Sequence, residues 1–142
     1  MHNFKKRIHW ITETAVITNL EKQLELIDKL QSAGFVVEMD DFGSGYSSLN
    51  MLDRVPIDTM KIDRIFLRDQ RLEESNKIIL ESIINMAKRL HITTVCEGVE
   101  TEAQLNFLRS VGCDVIQGYF VAKPMTIPEF DRFMETHPVF QP

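Results

Sequence analysis

Seven polar side chains fall where apolar runs of this sequence end. Asp40 and Asp41 close the run that starts at Phe35, Lys61 and Asp63 close the run from Thr59, Glu97 and Glu100 follow the run from Thr93, and Gln117 lies in the run from Val115. Each has an ordinary reading alone. An adjacent aspartate pair is usually a loop start or helix cap, a single lysine is usually solvated, and Gln117 would serve as a satisfied core amide. Their joint position is the informative feature. Carboxylates gathered on one face repel one another unless cations neutralise them, and hard oxygen ligands suit Mg²⁺ or Mn²⁺. A lysine among them can hold a water or stabilise phosphate charge. The chemistry this set suits is metal-assisted phosphoester hydrolysis.

The elements that must position these groups are strands alternating with helices. Residues 7–11 read as a short strand. Leu20, Leu24, Ile27 and Leu30 then recur at helical spacing, with Asn19 as N-cap and Gly34 as stop. Strands are predicted at 35–40, 59–63, 93–98 and 115–120. A helix is predicted at 73–90 with Ile79, Ile83, Met86, Ala87 and Leu90 on its apolar face. Thr101 and Gln104, then Thr126 and Glu129, have capping-box spacing before two further helices. Such alternation predicts parallel strands joined by crossover helices, whose carboxyl ends open on one face. About five strands fit an open doubly wound sheet or part of a (β/α)8 barrel. Length favours the first; the motifs favour the second. A receiver-type open sheet is disfavoured because the acidic pair follows a full helix and the later strand ends carry Glu97 and Gln117.

Composition narrows the function classes. The chain has 142 residues and a formal net charge of −5. That balance argues against capture of nucleic acid or of an anionic membrane. No apolar stretch reaches the length of a membrane span. Cys96 and Cys113 are the two cysteines and have neither scaffold numbers nor zinc spacing, so a reducing cytoplasm is expected.

Several long motifs, in order, resemble the EAL-domain family of bacterial cyclic-di-GMP phosphodiesterases. They are Ile11-Thr12-Glu13-Thr14, the run from Asp40-Asp41-Phe42-Gly43 to Leu49, Pro56-Ile57-Asp58 with Lys61-Ile62-Asp63, Glu97-Gly98-Val99-Glu100-Thr101, and Gln117-Gly118-Tyr119 with Lys123-Pro124. The resemblance implies a TIM-type barrel, two divalent cations (Mg²⁺ or Mn²⁺) and hydrolysis of cyclic di-GMP to linear pGpG. It implies that Asp40 is a metal ligand and that Asp41 bridges or binds the second metal. Lys61 matches the lysine that contacts the metal-held water, and Glu97 matches a glutamate assigned as metal ligand or as general base. Asp63 supports the second-metal region, Glu100 and Gln117 match substrate-facing or supporting positions, and Glu13 braces the loop from Phe42 to Leu49, which couples dimer contacts to metal binding.

The match covers the second half of the family domain, so residues 1–142 are expected to form a single partial EAL domain of about five strands. Trp10 stands where the family has a metal-binding acid, and an indole cannot bind Mg²⁺. Weak or absent turnover is therefore expected of this chain alone. The alternative is a non-catalytic EAL-type module that binds a protein partner or cyclic di-GMP. Expected contact surfaces are the Phe42–Leu49 loop and the exposed barrel edge, for a homodimer or a partner. No DNA partner and no membrane segment are expected.

Overall fold

The computed structural model describes residues 8–12, 20–44, 52–68 and 73–137. Among these residues five strands alternate with four helices: β1 (Ile8–Thr12), α1 (Leu20–Ser32), β2 (Val36–Phe42), β3 (Thr59–Ile62), a 3₁₀ turn (Arg64–Leu67), α2 (Glu74–Arg89), β4 (Thr93–Cys96), α3 (Glu102–Val111), β5 (Val115–Ile116) and α4 (Ile127–Thr136). All strand pairs are parallel, and the sheet order is β1-β2-β3-β4-β5. A doubly wound sheet reverses its strand order at a switch point. This one never reverses, which excludes the open-sheet alternative. Right-handed crossovers that always advance in one direction place the helices on one face and curl the sheet as a barrel section.

The burial pattern follows from that geometry. Val37 and Met39 of β2, Met60 and Ile62 of β3, and Thr94 and Cys96 of β4 are buried on the helix-covered face. Parallel register gives paired residues a common face, and β2 pairs Glu38 with Thr59 and Met39 with Met60. Glu38, Asp40, Thr59 and Lys61 therefore belong to the opposite, inner face. Ile27 of α1, the Leu80, Ile83, Ile84 and Ala87 stripe of α2, and Leu105 and Leu108 of α3 close the outer layer.

Local signals set the ends of the helices. Gln104 N–H donates to Thr101 Oγ1 at 3.2 Å, while Gln104 Oε1 accepts from Thr101 N–H at 2.9 Å, which completes the first capping box. Gly112 ends α3 with a φ of 73°, a left-handed conformation that glycine adopts without steric cost. The second box rests on Glu129, whose carboxylate accepts from Thr126 N–H at 2.7 Å.

Several predicted ends shift by one or two residues, β2 running to Phe42 instead of residue 40, and three further differences have a packing cause. β5 ends at Ile116, because the ladder becomes irregular at Gln117: its N–H still donates to Cys96 O at 2.9 Å, but its carbonyl accepts from Val99 N–H at 3.1 Å, beyond the end of β4. β4 ends at Cys96 for the same reason. The buried stripe of α2 runs through Leu80 and Ile84, leaving Ile79 and Leu90 42% and 47% exposed. Ile78, Ile79 and Leu80 are consecutive, so helical spacing alone supports two stripes, and packing against β4 selects one. The predicted N-cap Asn19 lies outside the described residues.

Candidate metal centre

Adjacent residues of a regular strand point to opposite faces, so Asp40 and Asp41 could not share a site without a local distortion. β2 supplies one. Its pairing with β3 runs Met39 to Met60 and then Phe42 to Ile62, so two aspartates oppose the single residue Lys61. This is a β-bulge. Asp41 takes a φ of 57°, the left-handed region rarely used by non-glycine residues. The bulge returns Phe42 to the buried outer face and brings both carboxylates to the inner end of the sheet. Ser44 N–H and Oγ–H both donate to Asp41 O, at 3.1 and 2.8 Å, and hold the turn that follows.

Glu97 arrives from the neighbouring strand end. Its N–H donates to Ile62 O at 3.1 Å, which carries the β3–β4 ladder one step past β4. Asp40, Asp41 and Glu97 thereby place one carboxylate oxygen each within 4.8 Å of one another. Lys61 lies between them. Its Nζ donates to Asp40 Oδ1 at 2.8 Å and is ion-paired with Glu97 Oε1. The side chains of Lys61, Asp40 and Glu97 are only 14%, 21% and 22% exposed.

The electrostatics follow from this crowding. Burial works against the charge on Lys61, but its hydrogen bonds to Asp40 and Glu97 prevail and raise its pKa well above the ordinary lysine value. These two carboxylates thus favour the charged, donating form of Lys61. Asp41 is raised above its ordinary value, first by burial and then by Asp40, Asp63 and Glu97. Glu38 is raised by burial, with Asp40 and Glu97 adding and Lys61 opposing. Several carboxylates around one ammonium leave an excess of negative charge. Hard oxygen donors at this spacing fit a divalent cation such as Mg²⁺ or Mn²⁺.

The other candidates sit around this cluster. Asp63 is half-buried and caps the 3₁₀ turn, its Oδ1 accepting from Ile65 N–H at 2.7 Å. Gln117 is exposed beside Glu97; its N–H donates to Cys96 O at 2.9 Å. Gly118 packs so closely on the Val99 backbone that no Cβ would fit, which fixes the path of Gln117. A cavity of about 450 Å³ opens next to it, walled by Tyr119, Lys123, Ile127 and Phe130. Glu100 is exposed and stands outside the three-carboxylate cluster. Glu13 and residues 45–49 of the loop lie outside the described residues, and of Trp10 only the backbone register is described.

Four residues given no site role by the sequence help to build this arrangement. Glu38 shares the inner face with Asp40, two positions earlier, and strand alternation is the signal that finds it. Asp114 Oδ2 accepts from Thr94 N–H at 2.8 Å, as Asp58 Oδ2 does from Val37 N–H at 2.8 Å; both tie the opposite ends of the strands. Gln104 is 1% exposed and does more than cap α3. Its Oε1 also accepts from Glu100 N–H at 2.7 Å, and its Nε2 donates to Leu67 O at 2.9 Å. It joins the segment after Glu97 to the 3₁₀ turn after Asp63. Gln104→Ala strands these buried groups and is expected to cost about 2–3 kcal/mol, read as a lower midpoint in urea unfolding.

A parallel sheet wound in one direction, with an acidic cluster and a lysine at its carboxyl end, is a barrel-type arrangement with donors that could hold a divalent cation. The sequence profile of the EAL domain matches residues 10–124, and the chain belongs to the EAL domain family. It is 39% identical over 127 residues to cyclic di-GMP phosphodiesterase NbdA of Pseudomonas aeruginosa, covering 89% of this chain and 16% of NbdA. Among solved structures, it resembles the MucR phosphodiesterase in complex with c-di-GMP, with a TM-score of 0.79, 35% identity, and coverage of 87% of this chain and 50% of that one. It also resembles Klebsiella pneumoniae BlrP1 in a manganese/cyclic-di-GMP complex, with a TM-score of 0.74, 36% identity, and coverage of 80% and 29%. The chain thus spans a small part of the curated relative and half of the solved MucR chain. No helix among the described residues is long and apolar enough to cross a membrane.

Proposed function

We propose that residues 1–142 form a single partial EAL domain carrying the cation-binding part of a cyclic-di-GMP phosphodiesterase site, which adds water across one phosphodiester of cyclic di-GMP to give pGpG. The observation that carries this reading is the convergence of Asp40, Asp41 and Glu97 around Lys61. The names of NbdA and MucR and the manganese/cyclic-di-GMP complex of BlrP1 support the substrate and the divalent cation. In this reading Asp40, Asp41 and Glu97 would hold Mg²⁺ or Mn²⁺, which supplies charge stabilisation at the phosphate when bound. Lys61 keeps Asp40 and Glu97 in place and presents a positive charge to the incoming phosphodiester. Glu97 serves as a ligand or accepts the proton of the attacking water. Asp63, Glu100 and Gln117 support the site or face the nucleotide, and Glu13 braces the loop after Asp41. The free thiols Cys96 and Cys113 suit a cytoplasmic setting. The loop from Phe42 and the open edges of the sheet are the surfaces for a second copy or a partner.

The chain by itself is expected to turn over little or no cyclic di-GMP, because it spans only half of the solved MucR chain and Trp10 occupies the position of an expected acid. A second reading, a binding module without turnover, rests on that same tryptophan. Chromatography of cyclic di-GMP incubated with Mn²⁺ and the chain, alone and with the N-terminal half of a related EAL domain, separates the two. The first reading expects pGpG from the mixture only. Retained nucleotide binding with no pGpG in either sample supports the binding module, and abundant pGpG from the chain alone overturns the expectation of weak turnover.

A further inference from the structure

We propose that Glu38 is a fourth carboxylate of the cation site, supplying charge to a divalent ion from one layer below Asp40, Asp41 and Glu97. This inference rests on the cation-site reading above. Glu38 is 7% exposed, yet its carboxylate has no hydrogen bond and no ion pair among the described residues. Burying an unpaired carboxylate is costly, and buried charges in folded proteins are paired or coordinate metals. Strand alternation puts Glu38 on the face of Asp40, and its charged neighbours are Lys61, Asp40 and Glu97. Lys61 offsets part of the charge at Glu38, but it also pairs with Asp40 and Glu97, so one ammonium faces several carboxylates. A carboxylate kept inside a cluster of like charges makes physical sense when a positive charge is to be held there. The register adds a second observation. Glu38 is the direct partner of Trp10 across β1 and β2, and Trp10 stands where the resemblance places an acid. The carboxylate missing from one strand is present on the next.

The test uses the purified chain, its Glu38→Gln variant and an Asp40→Asn control, with Mn²⁺ alone as the probe. Titration calorimetry is expected to give about tenfold weaker Mn²⁺ binding for Glu38→Gln, in the range for groups that support a metal site. Thermal unfolding supplies an independent reading. The metal-free variant should melt higher than the metal-free parent, since a buried repulsion is gone, and its gain on adding Mn²⁺ should be smaller. A purely structural Glu38 would move neither the affinity nor that gain. Mn²⁺ affinity for Glu38→Gln within twofold of the parent overturns the inference while leaving the site intact. Failure of the parent to bind, or full binding by Asp40→Asn, overturns the cation-site reading itself and this inference with it.

Discussion

An Asp40→Asn chain is expected to lose Mn²⁺ binding by roughly 100-fold or more and to support no phosphodiester hydrolysis when the rest of the domain is supplied. Asp40 is the centre of the cluster. Its Oδ1 accepts from Lys61 Nζ at 2.8 Å and from Asp41 N–H at 3.1 Å, so the same oxygen fixes the lysine and the start of the bulge. An amide keeps the size and can keep those hydrogen bonds through its carbonyl. It cannot supply the negative charge that a divalent cation requires. The fold should therefore survive, with Lys61 still paired with Glu97. Circular dichroism of the variant should match the parent while calorimetry shows no Mn²⁺ heat. A variant that still binds Mn²⁺ within a few-fold of the parent would remove Asp40 from the site.

The reasons some features were legible in the sequence and others were not are physical. The capping boxes at Thr101–Gln104 and Thr126–Glu129 are made by residues three apart, so the chain carries their signature locally. The parallel alternation was legible because amphipathic helices and apolar strand runs have different periods. The Asp40–Asp41 bulge was not, because it exists only relative to Lys61 on β3, and no local pattern says where two strands slip. Without the bulge, an aspartate pair reads as one residue in and one out. Strand alternation puts Glu38 on the face of Asp40, but the same limit hid its nearness to Lys61 and Glu97 on the neighbouring strands. It hid the reach of Gln104 to Leu67 O, 37 residues away in sequence. The family motifs located the cluster, and the register explains how the cluster closes.

Moving one carboxylate across the β1–β2 pair provides the sharpest test of how the site is built. Trp10 and Glu38 are direct register partners, and neighbouring strands lie about 4.8 Å apart. A carboxylate at either position therefore reaches much the same volume. If Glu38 supplies the charge, Trp10→Glu alone adds another acid to a crowded cluster and should improve Mn²⁺ affinity by less than about threefold, since like charges at this separation repel. Glu38→Gln alone should weaken binding about tenfold. The double variant Trp10→Glu with Glu38→Gln should recover most of that loss, because the number of carboxylates is restored on the adjoining strand. Such non-additivity is the signature of two groups sharing one role. If instead Trp10→Glu raises affinity strongly in the parent, and Glu38→Gln changes nothing in either background, Glu38 is only a buried acid and the site awaits its charge from β1. The turnover measurement adds a second axis. With the N-terminal half of a related EAL domain present, the exposed apolar stripe of Ile127, Phe130 and Met134 on α4 and the 47% exposed Val115 on β5 gain partners that close the barrel. In that assembly pGpG formation should follow Mn²⁺ affinity through all four variants. Turnover that rises with Trp10→Glu while affinity stays constant would mean that the acid at position 10 acts on the phosphodiester, and not through the cation.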